Sequence, residues 1–325
     1  MDHSRAARRR RAAERAAAPD RPTEGSGAER QPDGAAPERV ANGAAEGSIQ
    51  HSRSRVGRLN IGASLPADPG AAGSAASTDD LVVLDRGGVI DLLENGDLEI
   101  VGRMIEASNL NLYSTIRRRC PDPEPDLVAA CVYKPIRGER PLDDFPDGTL
   151  AYREVAAYRV SEATGWNIVP PTVLRDGPLG PGMVQLWIDV DQSVEIVDRI
   201  RAGDPALRRM AVFDAVINNA DRKGGHMLPV AEGHIHGVDH GVCFSPDPKL
   251  RTILWGWRGG RLEPGEREML ERLAADLAGD LGAELRELLA PEEVAATARR
   301  VRRLLARGTM PQPDPNRPAI PWPPF

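Results

Sequence analysis

The sequence predicts an α+β fold of two lobes: a small antiparallel-sheet lobe carrying one helix, then a mostly helical lobe. Three observations predict it. Apolar runs of strand length, parted by polar or Gly- and Pro-dense turns, occupy the region from about Leu98 to Ile188. A single helical pattern, Leu150 to Thr164, interrupts them. Beyond Asp204 the apolar residues recur at helical spacing.

The elements follow in order. Residues 1–78 are rich in Ala, Arg, Gly, Pro, Glu and Ser and nearly devoid of large apolar side chains. Such a stretch cannot bury enough surface to offset its ordering entropy, so a disordered low-complexity tail is expected. Its start, Arg8 to Arg11, reads as a solvated segment or as a contact to RNA or lipid. Leu81 to Leu93 reads as a short helix or strand–turn. Leu98 to Ile105 is a strand, Glu106 to Asn111 a polar turn, and Leu112 to Arg118 and Leu127 to Tyr133 two more strands. Leu150 to Thr164 places Val155, Ala156, Tyr158 and Val160 at helical spacing, with Gly165 as the stop. Thr172 to Leu174 and Met183 to Ile188 flank the turn-rich Arg175 to Gly182, which predicts a hairpin. The first lobe is therefore expected over 79–188.

In the second lobe, expected over 189–309, Asp204 and Pro205 give an N-cap followed by Pro at the first helical position. That helix carries Leu207, Met210, Phe213, Val216 and Ile217 on one face and ends near Asn218–Asn219. Short strands are expected around Met227 to Val230 and Ile235 to Val238, and helices over Leu262 to Leu277 and Pro291 to Leu305. Residues 310–325 form a Pro-rich tail. Trp322 and Phe325 are expected to pack on the chain's own surface; a polyproline segment docking in a partner's aromatic groove is the alternative.

Composition sets bounds. A chain of 325 residues with net charge −6 is long enough for a sizeable core and too acidic for nucleic acid as its primary partner. The three cysteines show no CxxC spacing, which excludes a zinc ribbon or disulfide scaffold and fits a reducing cytoplasm. No apolar run approaches a membrane span, no apolar segment follows the N-terminal arginines, and no internal repeat occurs. Oligomeric state is left open.

The candidate chemistry starts from lysine usage. Only three lysines occur, Lys134, Lys223 and Lys249, in a chain that writes nearly every other cation as arginine. Lys134 ends the apolar strand Leu127 to Tyr133, where a compact ammonium can reach a phosphate that a guanidinium fork would not fit. An edge or snorkelling role is the alternative. Asn218, Asn219, Asp221, Arg222 and Lys223 cluster after a helix, and Asp239 follows a short strand and precedes Gly241. A loop aspartate with basic neighbours and a second aspartate at a strand end are the parts of a phosphoryl-transfer site. Four of the six histidines lie between His226 and His240. They support a rival reading, a metal-dependent hydrolase built from His226, His234, His236 or His240 with Asp239, although no HExxH spacing accompanies them.

The order strand, turn, strand, strand with Lys, helix with Glu, hairpin, linker, helix, Asp loop, hairpin, Asp is that of a two-lobed protein-kinase-like fold. Around Asp221 and Asp239 the residues resemble the phosphatidylinositol 3-/4-kinase and HipA-like branch, most nearly an actinobacterial group of such kinase-like proteins. The resemblance covers roughly residues 80–310. It implies ATP and magnesium, or manganese, as cofactors and a hydroxyl-bearing acceptor that is a protein, a lipid head group or a metabolite. It implies that Lys134 bridges phosphates and Glu154 holds its head, Glu162 being the weaker candidate. Ser108, Asn109 and Asn111 would supply phosphate donors from the turn, which lacks the usual glycines. The backbone of Gln185, Leu186, Trp187 and Ile188 would hold adenine; an ordinary core strand is the alternative. Asp221 would orient the acceptor hydroxyl, with Arg222 and Lys223 countering charge, and Asp239 would carry the metal. His226 stands where these families place an Asn five residues after the loop Asp. Imidazole suits magnesium poorly, which implies manganese, a phosphate contact, or a weakened pseudokinase acting as a scaffold. The loop His240 to Glu263, with Lys249, Arg251, Arg258, Arg261, Trp255 and Trp257, would grip an anionic acceptor or pack on the second lobe.

Overall fold

The computed structural model describes residues 84–104, 109–121, 126–231 and 233–325. The expected tail, 1–78, and Ser108 lie outside the described residues.

The first lobe is one five-stranded antiparallel sheet and two helices. Helix α1 (Arg86–Asn95) starts on Asp85, whose carboxylate accepts the Gly88 N–H at 2.8 Å. Strands β1 (Asp97–Arg103), β2 (Leu112–Arg118) and β3 (Leu127–Pro135) follow. Helix α2 (Leu150–Thr164) then precedes the hairpin β4 (Thr172–Gly177) and β5 (Gly180–Leu186). Sheet order is β1-β2-β3-β5-β4. The period of two along β3 buries Ala129, Cys131 and Tyr133 with Val89, Leu92 and Leu93 of α1. Burial of such a side chain stabilises by about 1.5–3 kcal/mol for the larger ones. The same period turns Lys134 to the opposite face, directly across from Met183 of β5.

Helix α2 is buried nearly all round, because both lobes contact it. Ala151 and Val155 pack with Met183, whereas Ala156, Ala157, Tyr158 and Val160 belong to the core of the second lobe. Its start is capped from a distance: the Glu139 carboxylate accepts the N–H groups of Leu150 and Ala151 at 3.1 and 2.9 Å. Gly165 ends it at φ +71°, the left-handed conformation that glycine adopts most cheaply.

The second lobe holds helices α3 (Ile196–Ala202) and α4 (Pro205–Ile217), the hairpin β6 (Met227–Pro229) and β7 (Ile235–Gly237), and helices α5 (Pro264–Ala278), α6 (Asp280–Leu288) and α7 (Pro291–Arg307). Asp204 caps α4 through the Ala206 N–H at 2.7 Å, with Pro205 in the first turn. The expected reading did not include α3 or α6. The first is a short helix in a stretch read as linker, and Gly279 alone parts the second from α5.

The Pro-rich tail lies along the second lobe. The Ala319 carbonyl accepts the Thr252 N–H and the Trp255 Nε1–H at 3.0 and 2.8 Å, and the Pro324 carbonyl accepts the Gly224 N–H at 2.8 Å. Phe325 packs on Gly224, where an added Cβ would lie 2.0 Å from its ring. Trp322 corrects the expectation: it is 88% exposed. No helix among the described residues is long and apolar enough to cross a membrane.

Candidate active site

Lys134 is the junction of the two lobes. Its Nζ lies 2.6 Å from Glu154 Oε1 on α2 and 2.9 Å from Asp239 Oδ1, two residues beyond β7. The geometry follows from local rules. Strand alternation aims Lys134 away from the α1 face, and α2 presents Glu154 one turn after its capped start. Burial works against the ammonium, yet the Asp239 and Glu154 carboxylates outweigh it and hold Lys134 above the ordinary lysine range. Reciprocally, Lys134 holds Asp239 well below the usual carboxylate range. Asp239 itself sits at φ +62°, a left-handed conformation that Asp tolerates better than most residues and that clusters at functional sites.

The second oxygen of each carboxylate is also engaged. Glu154 Oε2 accepts the His240 N–H at 2.8 Å, tying α2 to the residue after Asp239. His226 Nε2 lies 3.4 Å from Asp239 Oδ2, and its Nδ1 is buried without a hydrogen-bond partner. Burial pushes the His226 imidazole below its ordinary value, against the pull of Asp239.

Asp221 lies in the loop after α4. Asn218 caps that helix at φ +55° and uses its amide to bond the Ser245 and Asp247 carbonyls at 2.9 and 2.6 Å. Asn219 Oδ1 then accepts the Asp221 N–H at 2.9 Å, an Asx-turn that fixes where the loop carboxylate emerges. Asp221 Oδ2 lies 3.1 Å from Lys223 Nζ. Asp221, Asp239 and Asn109 line a common cleft of about 960 Å³.

Several expected roles need correction. Arg222 is fully buried and cannot touch a phosphoryl group. Its guanidinium grips Asp214 of α4 at 2.9–3.2 Å, donates to the carbonyls of Val238 and His226 at 3.0 and 3.3 Å, and meets His240 Nε2 at 2.6 Å. It is a positioning residue that ties the Asp221 loop to the Asp239 loop. Glu162 pairs with Arg86 at 2.6 Å, leaving Glu154 as the partner of Lys134. In the segment expected to hold adenine, Gln185 donates its side-chain amide to Thr172 Oγ1 at 2.8 Å. The N–H groups of Leu186 and Trp187 are spent on Pro171 and Ala130 carbonyls at 2.9 and 3.0 Å. The Trp187 ring is 36% exposed and meets Tyr113 edge-on, and Ile188 follows it. Asn109 Oδ1 accepts the Arg140 N–H at 2.9 Å, and Asn111 Oδ1 is buried without a partner.

The histidines do not converge. His234 and His236 stack edge-on beside Asn167, His240 is buried against Arg222, and His226 alone faces Asp239. No group of three His, Cys, Asp or Glu side chains able to hold one ion occurs among the described residues.

Residues that the expected site lacked include Asp214, Arg153, Glu293 and Glu139. Arg153 is buried beside Glu154 and donates to the Cys243 carbonyl at 2.7 Å and to Glu293 of α7 at 2.6 Å. Asp214 carried a signal: a carboxylate inside an apolar helical stripe is buried only when paired.

A sheet-borne ammonium held by a helix glutamate, and met from the second lobe by a strand-end aspartate, defines a protein of the two-lobed kinase-like fold. No family model matches the chain. It is 42% identical over 271 residues to protein Rv2133c of Mycobacterium tuberculosis, covering 72% of this chain and 94% of that protein, and the chain belongs to the family of that protein. It is also similar to phosphatidylinositol 4-kinase gamma 4 of Oryza sativa subsp. japonica, 29% identical over 127 residues, 33% of this chain and 22% of the rice protein. Among solved structures it is similar to a Golgi casein kinase with Mn and ADP bound (TM-score 0.47, 15% identity, 68% of this chain and 75% of that one). It is likewise similar to the Helicobacter pylori proinflammatory kinase CtkA (TM-score 0.37, 12% identity, 65% of this chain and 98% of that one).

Proposed function

We propose that the protein is an ATP-dependent phosphotransferase that moves the γ-phosphoryl group to a hydroxyl, in the manner of the phosphatidylinositol 3-/4-kinase and HipA-like branch. One observation carries this reading: the Lys134 ammonium lies within 2.6 and 2.9 Å of carboxylates from α2 and from the end of β7. That is the pairing a phosphate-anchoring lysine needs before nucleotide arrives.

In this reading Lys134 holds the ATP phosphates as a point charge, and Glu154 keeps its head in place. The exposed Trp187 ring and Ile188 cover the adenine. Asp221 orients the acceptor hydroxyl and accepts its proton. The hydroxyl oxygen bonds to the γ-phosphorus, the bond from that phosphorus to the β–γ bridging oxygen breaks, and ADP leaves. Lys223, beside Asp221, offsets the charge that develops there. Positioning and charge neutralisation supply most of the acceleration. Asp239 and His226 are the residues that would hold a divalent ion, which when bound would neutralise phosphate charge. The Asp239 carboxylate and the His226 Nε2 that lies 3.4 Å from it fit an ion whose shell is completed by phosphates and water, and an imidazole ligand favours manganese over magnesium.

The test is metal-dependent transfer from γ-labelled ATP, compared in wild type, Lys134→Ala, Asp239→Ala and Asp221→Ala. Loss in all three is expected, with nucleotide binding kept in Asp221→Ala. Activity that survived both aspartate changes would reject the assignment. His226 favours a second reading, a nucleotide-binding scaffold, because it displaces the amide ligand of related enzymes. That reading predicts a thermal shift with ATP and no transfer to any acceptor.

A further inference from the structure

The cleft that Asp221 and Asp239 share is walled by cations. Arg299, Arg303 and Arg307 recur every four residues along α7, so one flank of that helix faces the cleft. Arg140 enters from the segment after β3, and Lys249 and Arg251 from the loop after β7. Eight cations line it against four carboxylates, Asp144, Asp221, Asp239 and Asp314. Asp144 pairs with Lys249 at 2.5 Å, and Asp314 lies 3.8 Å from Arg317. Arg140, Arg299, Arg303 and Arg307 are exposed and have no carboxylate partner among the described residues.

This concentration runs against the chain as a whole, which carries net charge −6. Lys134 and the Trp187 ring do not line the cleft, whereas Asn109, Asp221 and Asp239 do, so it meets the space assigned to the ATP phosphates at Asp239 and runs from there away from the adenine side. Guanidinium pairs on one helix flank suit an oxyanion that accepts two parallel hydrogen bonds, and a phosphate dianion offers the most acceptors for its size. A volume of about 960 Å³ lies at the upper end of small-molecule sites.

We propose that this cleft is the acceptor site and that the acceptor is a phosphorylated small molecule with a free hydroxyl, its phosphate held by Arg299, Arg303 and Arg307. The identification of the cleft with the acceptor rests on the phosphotransferase reading above. The presence of an anion site does not.

The experiment has two parts. Inorganic pyrophosphate is titrated calorimetrically into protein saturated with a non-hydrolysable ATP analogue. Binding is expected, with affinity falling as salt rises and dropping at least about tenfold in R303E/R307E. R299Q/R303Q, a milder change, should weaken binding in the same direction; its thermal shift with ATP reports that the variant is folded. Transfer from labelled ATP is then compared between glycerol and glycerol 3-phosphate, between glucose and glucose 6-phosphate, and with phosphatidylglycerol vesicles. A phosphorylated acceptor should be used at least about tenfold more efficiently than its neutral counterpart. Use of the vesicles but neither soluble phosphate keeps the proposal and assigns the phosphate to a lipid head group. Pyrophosphate that fails to bind, or binds wild type and R303E/R307E alike, overturns it, as does equal use of neutral acceptors. If the ATP analogue itself does not bind, the phosphotransferase reading falls, and the titration on nucleotide-free protein still decides the anion site.

Discussion

Asp214→Ala tests the buried network behind the site. Asp214 and Arg222 are both fully buried, and their three contacts lie between 2.9 and 3.2 Å. Removing the carboxylate strands a guanidinium with only two carbonyls and a neutral imidazole around it. Arg222 does not shed its proton to escape, because a guanidinium is too strong a base to be neutralised in a protein. Breaking such a pair costs about 3–5 kcal/mol. For a folded region of this size that is a loss of about 6–20 °C in Tm, at roughly 2–4 °C per kcal/mol. Urea unfolding followed by far-UV circular dichroism measures it, as a lower midpoint at unchanged slope. The double variant Asp214→Leu/Arg222→Met removes both charges and should recover much of the loss, giving a coupling energy above about 1 kcal/mol. A single-variant cost under about 1 kcal/mol, or strict additivity in the double, would refute the picture of a buried pair that clamps the two loops.

Two further outcomes are expected. Burial, with help from neighbouring His234, pushes His236 down to about 4. The unfolded chain binds a proton near pH 6.5 and the folded chain does not, so His236 contributes stability that is full above pH 6.5 and is lost as pH falls toward 4. The loss is about 3 kcal/mol, and His236→Asn should flatten that acid limb in pH-dependent unfolding. Separately, Gly224→Ala places a methyl 2.0 Å from the Phe325 ring. That ring is a side-chain end and can yield, so the stability cost should stay under about 1 kcal/mol. The tail should lift, seen as faster hydrogen exchange of the position-224 N–H that the Pro324 carbonyl accepts at 2.8 Å; an unchanged exchange rate would mean the contact is not kept in solution.

What the sequence made legible were features encoded over short spans. Alternation along β3 exposed Lys134 as the odd member of an apolar strand, helical spacing placed Glu154, and the Asn218–Asn219–Asp221 turn chemistry marked the loop. What stayed hidden was encoded over long spans. Arg222 looked like a solvent-facing member of a polar loop, and only Asp214 folding back beneath it reveals its burial. Arg153 meets Glu293, 140 residues away, and no local pattern announces that pairing. The N–H groups of Leu186 and Trp187 seemed available because sequence does not say which neighbouring strand takes them. The histidines gathered in sequence but dispersed in space, since the short β6–β7 hairpin and the Asp239 turn send them in different directions.

One consequence follows from the dual seating of α2. Where comparable two-lobed enzymes are switched by displacing the helix that carries the lysine's partner, the helix must be free to swing. Here Arg153 is anchored in the opposite lobe by the Cys243 carbonyl and Glu293, one position from Glu154. Such a helix cannot serve as an on–off lever without tearing open both hydrophobic interiors. In the phosphotransferase reading proposed above, the Lys134–Glu154 pair would stand assembled in advance, and throughput would be governed by what reaches the basic chamber, not by rearrangement of the scaffold.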